Sequence, residues 1–298
     1  MRKIYLLISF FVSSYSISFC QDDLSTLADQ ELNNSTQYAL GTFFTTRLLT
    51  GHSSEIMPKG GLDFRIHHRF DEFKTGFTRF FGLDGSFSYL SLEYGFTNFM
   101  TAGFGRANDG YFNFFDKIKL VRQSSGEKNM PVTIVYLVES AVDGKTYDLA
   151  VKNKDFNGRL SFTHQLIISR MFNSRLSLMM APTYVHRNMV PAPGYKNDLY
   201  ALGVGGRYKI FNTFSIDAEY YYVKGIKNLP DGVQYYNPIS LGFDIQVASH
   251  VFQVMITNTS RMLEPSFLGQ TEGEFIKSLR LGFNISQVFT IGKKKKNE

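Results

Sequence analysis

From about residue 61 to residue 290, apolar and polar side chains alternate one by one in segments separated by polar connections. Over 278–286 the odd positions are Leu279, Leu281, Phe283 and Ile285, and the even ones are Ser278, Arg280, Gly282, Asn284 and Ser286. A side-chain period of two belongs to a β-strand with one oily face and one wet face. Many such segments of about ten residues each predict an all-β fold, a transmembrane antiparallel up-and-down β-barrel.

The alternation predicts strands at 62–70, 86–96, 99–107, 112–123, 132–141, 159–170, 175–186, 199–210, 213–223, 239–247, 251–258 and 277–289. Outward rows read Leu62, Phe64, Ile66, Phe70; Phe214, Ile216, Ala218, Tyr220, Tyr222; and Leu241, Phe243, Ile245, Val247. The strand at 132–141 is apolar on both faces. Asp116 falls on the oily row of its strand, which points to a bulge there or to a different register. Tight turns alternate with long connections, the one around Asn108-Asp109-Gly110 excepted. Outer-membrane barrels keep short turns on the periplasmic side and long loops outside, so about twelve strands leave both termini periplasmic. Phe96, Phe99, Phe172, Phe211, Phe214, Phe252 and Phe289 sit beside the short-turn ends, where an aromatic girdle belongs.

The ends complete the division of the chain. Arg2 and Lys3, the apolar run 4–12 and the small residues Ser18 and Cys20 form an export signal over 1–20. Residues 21–60 form a periplasmic leader or a plug, with 38–49 against the rim or in the lumen. The barrel occupies 61–290, and 291–298 is a basic periplasmic tail. Setting aside Arg2, Lys3 and the lysines 293–296 leaves 26 basic residues against 26 acidic ones, so the net charge of +6 is no argument for nucleic acid. With a single cysteine, disulfides play no part. The partners implied are outer-membrane lipid, the barrel-assembly machinery and an unidentified periplasmic or surface protein.

The stretch Thr46-Arg47-Leu48-Leu49-Thr50-Gly51-His52-Ser53-Ser54-Glu55, followed by Gly60-Gly61-Leu62-Asp63-Phe64-Arg65-Ile66-His67-His68-Arg69-Phe70, is distinctive. With Phe80-Phe81-Gly82-Leu83-Asp84 and Leu92-Glu93-Tyr94-Gly95, it resembles a family of uncharacterised Gram-negative outer-membrane β-barrel proteins known only as a domain of unknown function. The resemblance implies fold and location, and lends no activity.

Candidate chemistry is sparse. His67 and His68 point to opposite faces of one strand, and His52 with Glu55 lacks tight ligand spacing, so no metal is expected. His164 and His186 have no serine beside them on their rows, so no catalytic residue and no cofactor is expected. Asp63, Arg65, Arg69, Glu93, Arg159, Arg207, Asp217, Glu219, Asp244 and Arg280 are the lumen-facing candidates. Arg65, Arg69 and Arg280 are expected to form a basic wall opposite an acidic one of Asp217, Glu219 and Asp244. Inward Gly103, Gly105, Gly203, Gly205 and Gly242 make room in the lumen or admit the 38–49 segment as a plug. Two readings follow: a narrow channel or transporter for small polar solutes, or a non-conducting barrel that anchors a partner.

Overall fold

The computed structural model describes residues 35–145, 155–190, 195–226 and 232–291. The export signal, residues 21–34 of the leader and nearly all of the tail lie outside the described residues. Among the described residues, twelve strands close an antiparallel barrel: β1 Gly61–Glu72, β2 Ser86–Gly95, β3 Met100–Ala107, β4 Tyr111–Val121, β5 Thr133–Asp143 and β6 Leu160–Met171, then β7 Leu176–Arg187, β8 Asp198–Phe211, β9 Phe214–Lys224, β10 Ile239–Val247, β11 His250–Thr257 and β12 Arg280–Thr290. Each strand pairs with the next, and β12 returns to β1 through Ile285 opposite Ile66 and Ser286 opposite Arg65. Every bound falls within three residues of the alternation read from the sequence. Closure leaves no unpaired sheet edge, which a strand in lipid requires.

Short turns at 96–99, 122–132, 172–175, 212–213 and 248–249 gather at one end, and the long connections and 108–110 at the other. Phe96, Phe99, Phe172, Phe211, Phe252 and Phe289 are exposed at the short-turn end. The alternation sorts burial strand by strand. In β9, Ser215, Asp217, Glu219 and Tyr221 are buried inside, while Ile216, Tyr220 and Tyr222 are exposed outside. Lysine at position 216 therefore faces the bilayer, at a cost of about 2–4 kcal/mol near its midplane. Ile216→Lys is expected to slow or prevent folding into lipid vesicles, whereas Ile216→Leu folds normally, both scored by the folded band on an unheated gel.

Several outward positions depart from the pattern. Asp116 stays on the outward row, because the register shift of β4 against β5 comes later, between Lys119 and Val121. The bulge expected at Asp116 is absent there: the residue pairs in regular register with Ala102 and Val138 and faces outward. On β5 to β8, outward polar groups satisfy one another. Tyr136 Oη and His164 Nδ1 are 2.7 Å apart, and Asp198 Oδ1 lies 2.7 Å from both Tyr184 Oη and His186 Nδ1.

The lumen is filled from both ends. Residues 42–57 enter from the short-turn end as a chain of mostly buried residues, with Thr46, Arg47, Leu49, His52 and Ser53 at 0% exposure. From the long-loop end, the 258–279 connection folds inward rather than standing in solvent. Its helix α1, Glu264–Gly269, is buried at every residue. That connection carries Met262, Leu263, Phe267 and Leu268, apolar groups that gain by leaving water. Phe267 and Leu268 join Val185, Leu199, Tyr221 and Val223 of β7 to β9 in one core, across the mouth from the strands that carry the loop. Arg261 pairs with Asp109 and ties the loop to the β3–β4 turn.

Candidate functional site

Inside the barrel the chain makes a hairpin. Arg47 bridges His52, Leu48 N donates to Gly51 O at 2.9 Å, and Ser53 N donates to Thr46 O at 2.9 Å, leaving Leu48 to Gly51 as a tight tip. Thr45 and Ser53 brace it, Ser53 Oγ donating to Thr45 O at 2.6 Å. A hairpin in isolation is marginal in water, so the barrel wall must hold this one.

The two faces of the hairpin meet different walls. Phe43, Leu48 and Ile56 pack with Val135, Ile167, Met179 and Ala181 of β5 to β7. This contact explains why β5 is apolar on both faces: its outer row meets lipid and its inner row meets the plug. Toward β8 to β12 and β1, the contacts are polar. Glu219 accepts from Thr50 N at 2.6 Å and Gly51 N at 3.3 Å. Gln253 Nε2 donates to Leu48 O at 2.5 Å, and Asn284 Nδ2 donates to Leu49 O at 2.7 Å. Arg69 reaches Leu49 O and Thr50 Oγ1, each at 3.4 Å. On β4, the Lys117 ammonium donates to the carbonyls of Thr46, Ser53 and Glu55 at 3.0, 2.8 and 2.5 Å. On β6, Ser169 Oγ donates to Ser54 Oγ at 2.5 Å.

Glycine admits the tip. A β-carbon on Gly51 would overlap the Tyr221 hydroxyl, and one on Gly205 would overlap Leu48 Cδ2. At Gly103 and Gly105 the vacated space goes to the wall's own Phe115 and Tyr89 instead.

The two insertions meet near the middle of the lumen. Arg47 Nη1 lies 3.4 Å from Glu264 Oε1, both side chains fully buried, and the guanidinium sits 5.6 Å from the Tyr89 ring and 5.7 Å from that of Phe115. His52 Nε2 is 3.6 Å from the same carboxylate.

Asp63, Arg65, Arg69, Glu93, Arg207, Asp217, Glu219 and Asp244 are all buried in the lumen. Arg65 pairs with Asp63 at 2.7 Å and donates to Thr46 Oγ1 at 3.1 Å, while Glu93 stands opposite Asp63 on β2. Arg207 donates to Gly41 O at 2.6 Å beneath the Phe44 ring. Asp244 accepts from Gln253 at 3.0 Å and Asp217 from Ser215 at 3.0 Å. Two candidates sit elsewhere. Arg159 belongs to a short turn, Asn157–Arg159, before β6 and donates to Lys145 O, so it lies in the long connection rather than on the wall. Arg280 opens β12 at the rim, where Asp71 at 3.4 Å and Glu72 at 3.0 Å neutralise it. The expected facing walls are corrected too. β10 stands three strands from β1 and β9 four in a ring of twelve, with the hairpin tip held by both groups. The acidic and basic groups are parts of one cradle rather than opposed fields.

The histidines separate as their faces require. His67 meets Asn284 Oδ1 at 3.1 Å inside, and His68 stacks on Phe283 outside. Among the described residues, no group of three or more His, Cys, Asp or Glu side chains gathers to hold a metal ion. The residues that sequence reading passed over are Gln253, Asn284, Ser169 and Glu264. For Gln253, Asn284 and Ser169 the only signal is a polar side chain on an inward row, shared by many positions that touch no plug, and Glu264, in a connection, has no row at all.

A family model described as Membrane bound beta barrel domain (DUF5777) matches residues 43–289. Among solved structures, the chain is similar to the KdgM porin in complex with disordered oligogalacturonate, at 13% identity over 77% of this chain and 99% of that one, with a TM-score of 0.46. It is similar to the NanC porin at 10% identity, covering 78% and 100%, with a TM-score of 0.47. It is also similar to the Pseudomonas putida toluene transporter TodX at 10% identity, covering 84% and 97%, with a TM-score of 0.38. No curated protein matches it.

Proposed function

The chain belongs to the membrane-bound β-barrel family of domain DUF5777, and on that premise we propose that it is a gated outer-membrane channel for small polar solutes, with residues 42–57 as the gate. In this reading the barrel-assembly machinery inserts it with the short turns and both chain ends on the periplasmic side, and the assignment involves no cofactor. The observation that carries the proposal is that the barrel closes through β12 and β1 alone, while the hairpin is held within it largely by polar contacts. Water can replace hydrogen bonds to backbone carbonyls and amides, so the net worth of each is only about 0.5–1.5 kcal/mol. The plug can leave without opening the sheet. Eight-stranded barrels are filled by their own side chains and sixteen-stranded ones hold a channel, so twelve strands leave space for a hairpin or a solute path.

The cysteine pair Ser54→Cys with Ser169→Cys tests this directly. Their oxygens are 2.5 Å apart, close to the reach of a disulfide. In a planar bilayer the oxidised protein is expected to be silent, and reductant is expected to restore openings. Openings that persist in the oxidised protein would exclude this segment as the gate. A filled lumen also suits the second reading, a barrel that anchors a partner. That reading takes over if the wild-type protein conducts at no voltage.

A further inference from the structure

At the short-turn end, outside the lumen, lies a pocket of about 500 Å3 between the β2–β3 turn, the end of β4 and the start of the described chain. Among the described residues, Lys119, Arg122 and Lys128 line it and no acidic side chain does. Glu55 attracts Lys119 from outside the lining, but the three cations otherwise repel one another, which favours an anion in the hollow. The hollow is braced. The Arg122 guanidinium lies 4.7 Å over the Tyr38 ring and donates to Ala39 O at 3.3 Å. Ser124 and Met130 exchange backbone hydrogen bonds at 3.0 Å in both directions, closing the loop that carries Lys128.

The rim of the pocket is oily. Leu120 and Phe99 line the same hollow and are each 57% exposed, continuous with the lipid-facing surface and at the level of the aromatic girdle. A cationic floor with an apolar lip at a membrane boundary fits an amphiphile, with charge in the hollow and chain along the barrel wall. We propose that this pocket binds the headgroup phosphate of an anionic phospholipid, whose acyl chains lie over Leu120 and Phe99. The proposal rests on the membrane location of the barrel and is independent of whether its lumen conducts. Basic residues at a membrane surface favour acidic lipid individually and add together.

The test uses the full chain, folded into nanodiscs of phosphatidylcholine containing a minor share of phosphatidylglycerol, with retained lipid read by native mass spectrometry. The wild-type protein is expected to retain one phosphatidylglycerol with about tenfold or greater preference over phosphatidylcholine. Arg122→Gln with Lys128→Gln is expected to bring the preference near parity. Arg170→Gln removes a cation that stacks on Phe172 at the same end but outside the pocket, and it is expected to change nothing. If the double variant does not fold, Lys128→Gln alone, at an exposed position, is expected to lower the preference severalfold. Equal retention of the two lipids by the wild-type protein overturns the proposal. Displacement of the retained lipid by millimolar inorganic phosphate also overturns it, since the pocket is then a simple anion site. A silent bilayer trace leaves this result untouched, so failure of the channel reading and failure of this one are told apart.

Discussion

Gly51→Leu is expected to turn a mostly closed barrel into a standing conductance. Position 51 is at the hairpin tip, where a β-carbon already overlaps the Tyr221 hydroxyl, and Tyr221 is itself buried against Phe267 of α1. Neither partner has room to retreat, and overpacking a tight interior costs about 1–3 kcal/mol even with relaxation. The loss falls on the seated hairpin and spares the barrel, since strand pairing does not involve residue 51. At about 1.4 kcal/mol per factor of ten, the seated-to-released ratio drops by roughly one to two orders of magnitude. Open probability in planar bilayers measures it directly. An unchanged trace, with a folded band on the gel, would show that the hairpin does not block the path.

The second large effect is expected from Lys117→Met. Lys117 gathers three hairpin carbonyls, those of Thr46, Ser53 and Glu55, at one fully buried ammonium. Methionine keeps the length of the side chain and removes every donor. Thr46 O keeps the Ser53 amide, so two acceptors are left unpaired at about 1–3 kcal/mol each, and the seated state loses roughly 2–6 kcal/mol. Water entering beside a released hairpin recovers that loss, which is why the balance moves toward release. Hydrogen exchange at the amides of Thr50 and Gly51 is expected to accelerate by about a hundredfold or more, while exchange in β1 and β12 stays slow. Equal acceleration in the strands would assign Lys117 to the stability of the barrel as a whole. Lys117→Arg keeps charge and donors, and is expected to lose far less.

The strands were legible because lipid and lumen impose opposite demands on adjacent residues, and the row from Leu62 to Phe70 obeys both at every position but His68. Inward glycines fit either an open lumen or one plugged by 38–49; Gly205 and Gly242 face Leu48 and Leu49 of the plug, whereas Gly203 faces the wall's own Tyr221. The hairpin segment was under suspicion from its position, but its seat depends on partners about 170 to 235 residues away, such as Glu219 and Asn284, and no local pattern encodes such a pairing. The connection at 259–276 reads as an outside loop because its length matches the alternation of turns. Its four apolar residues around 262–268 were the overlooked cue, since a loop destined for water has no use for Phe267 and Leu268 at 0% exposure. Arg280 was assigned from parity alone, which fixes a face and says nothing of depth. At a strand's first residue, parity meets Asp71 and Glu72 of the rim instead of the lumen.

The hairpin grips both sides of the line where the barrel shuts. Leu49 O accepts from Arg69 on the first strand and from Asn284 on the last, and Thr46 meets Arg65 close by. Those two strands are the pair that shuts the ring, so the seat of the hairpin is incomplete until they have met. Contacts spanning so much of the chain are late ones, since their loop-closure entropy must be met before they return anything. Once seated, the hairpin acts as a rivet across the seam, sharing with the ladder of β12 and β1 the work of keeping the wall from parting sideways into the bilayer.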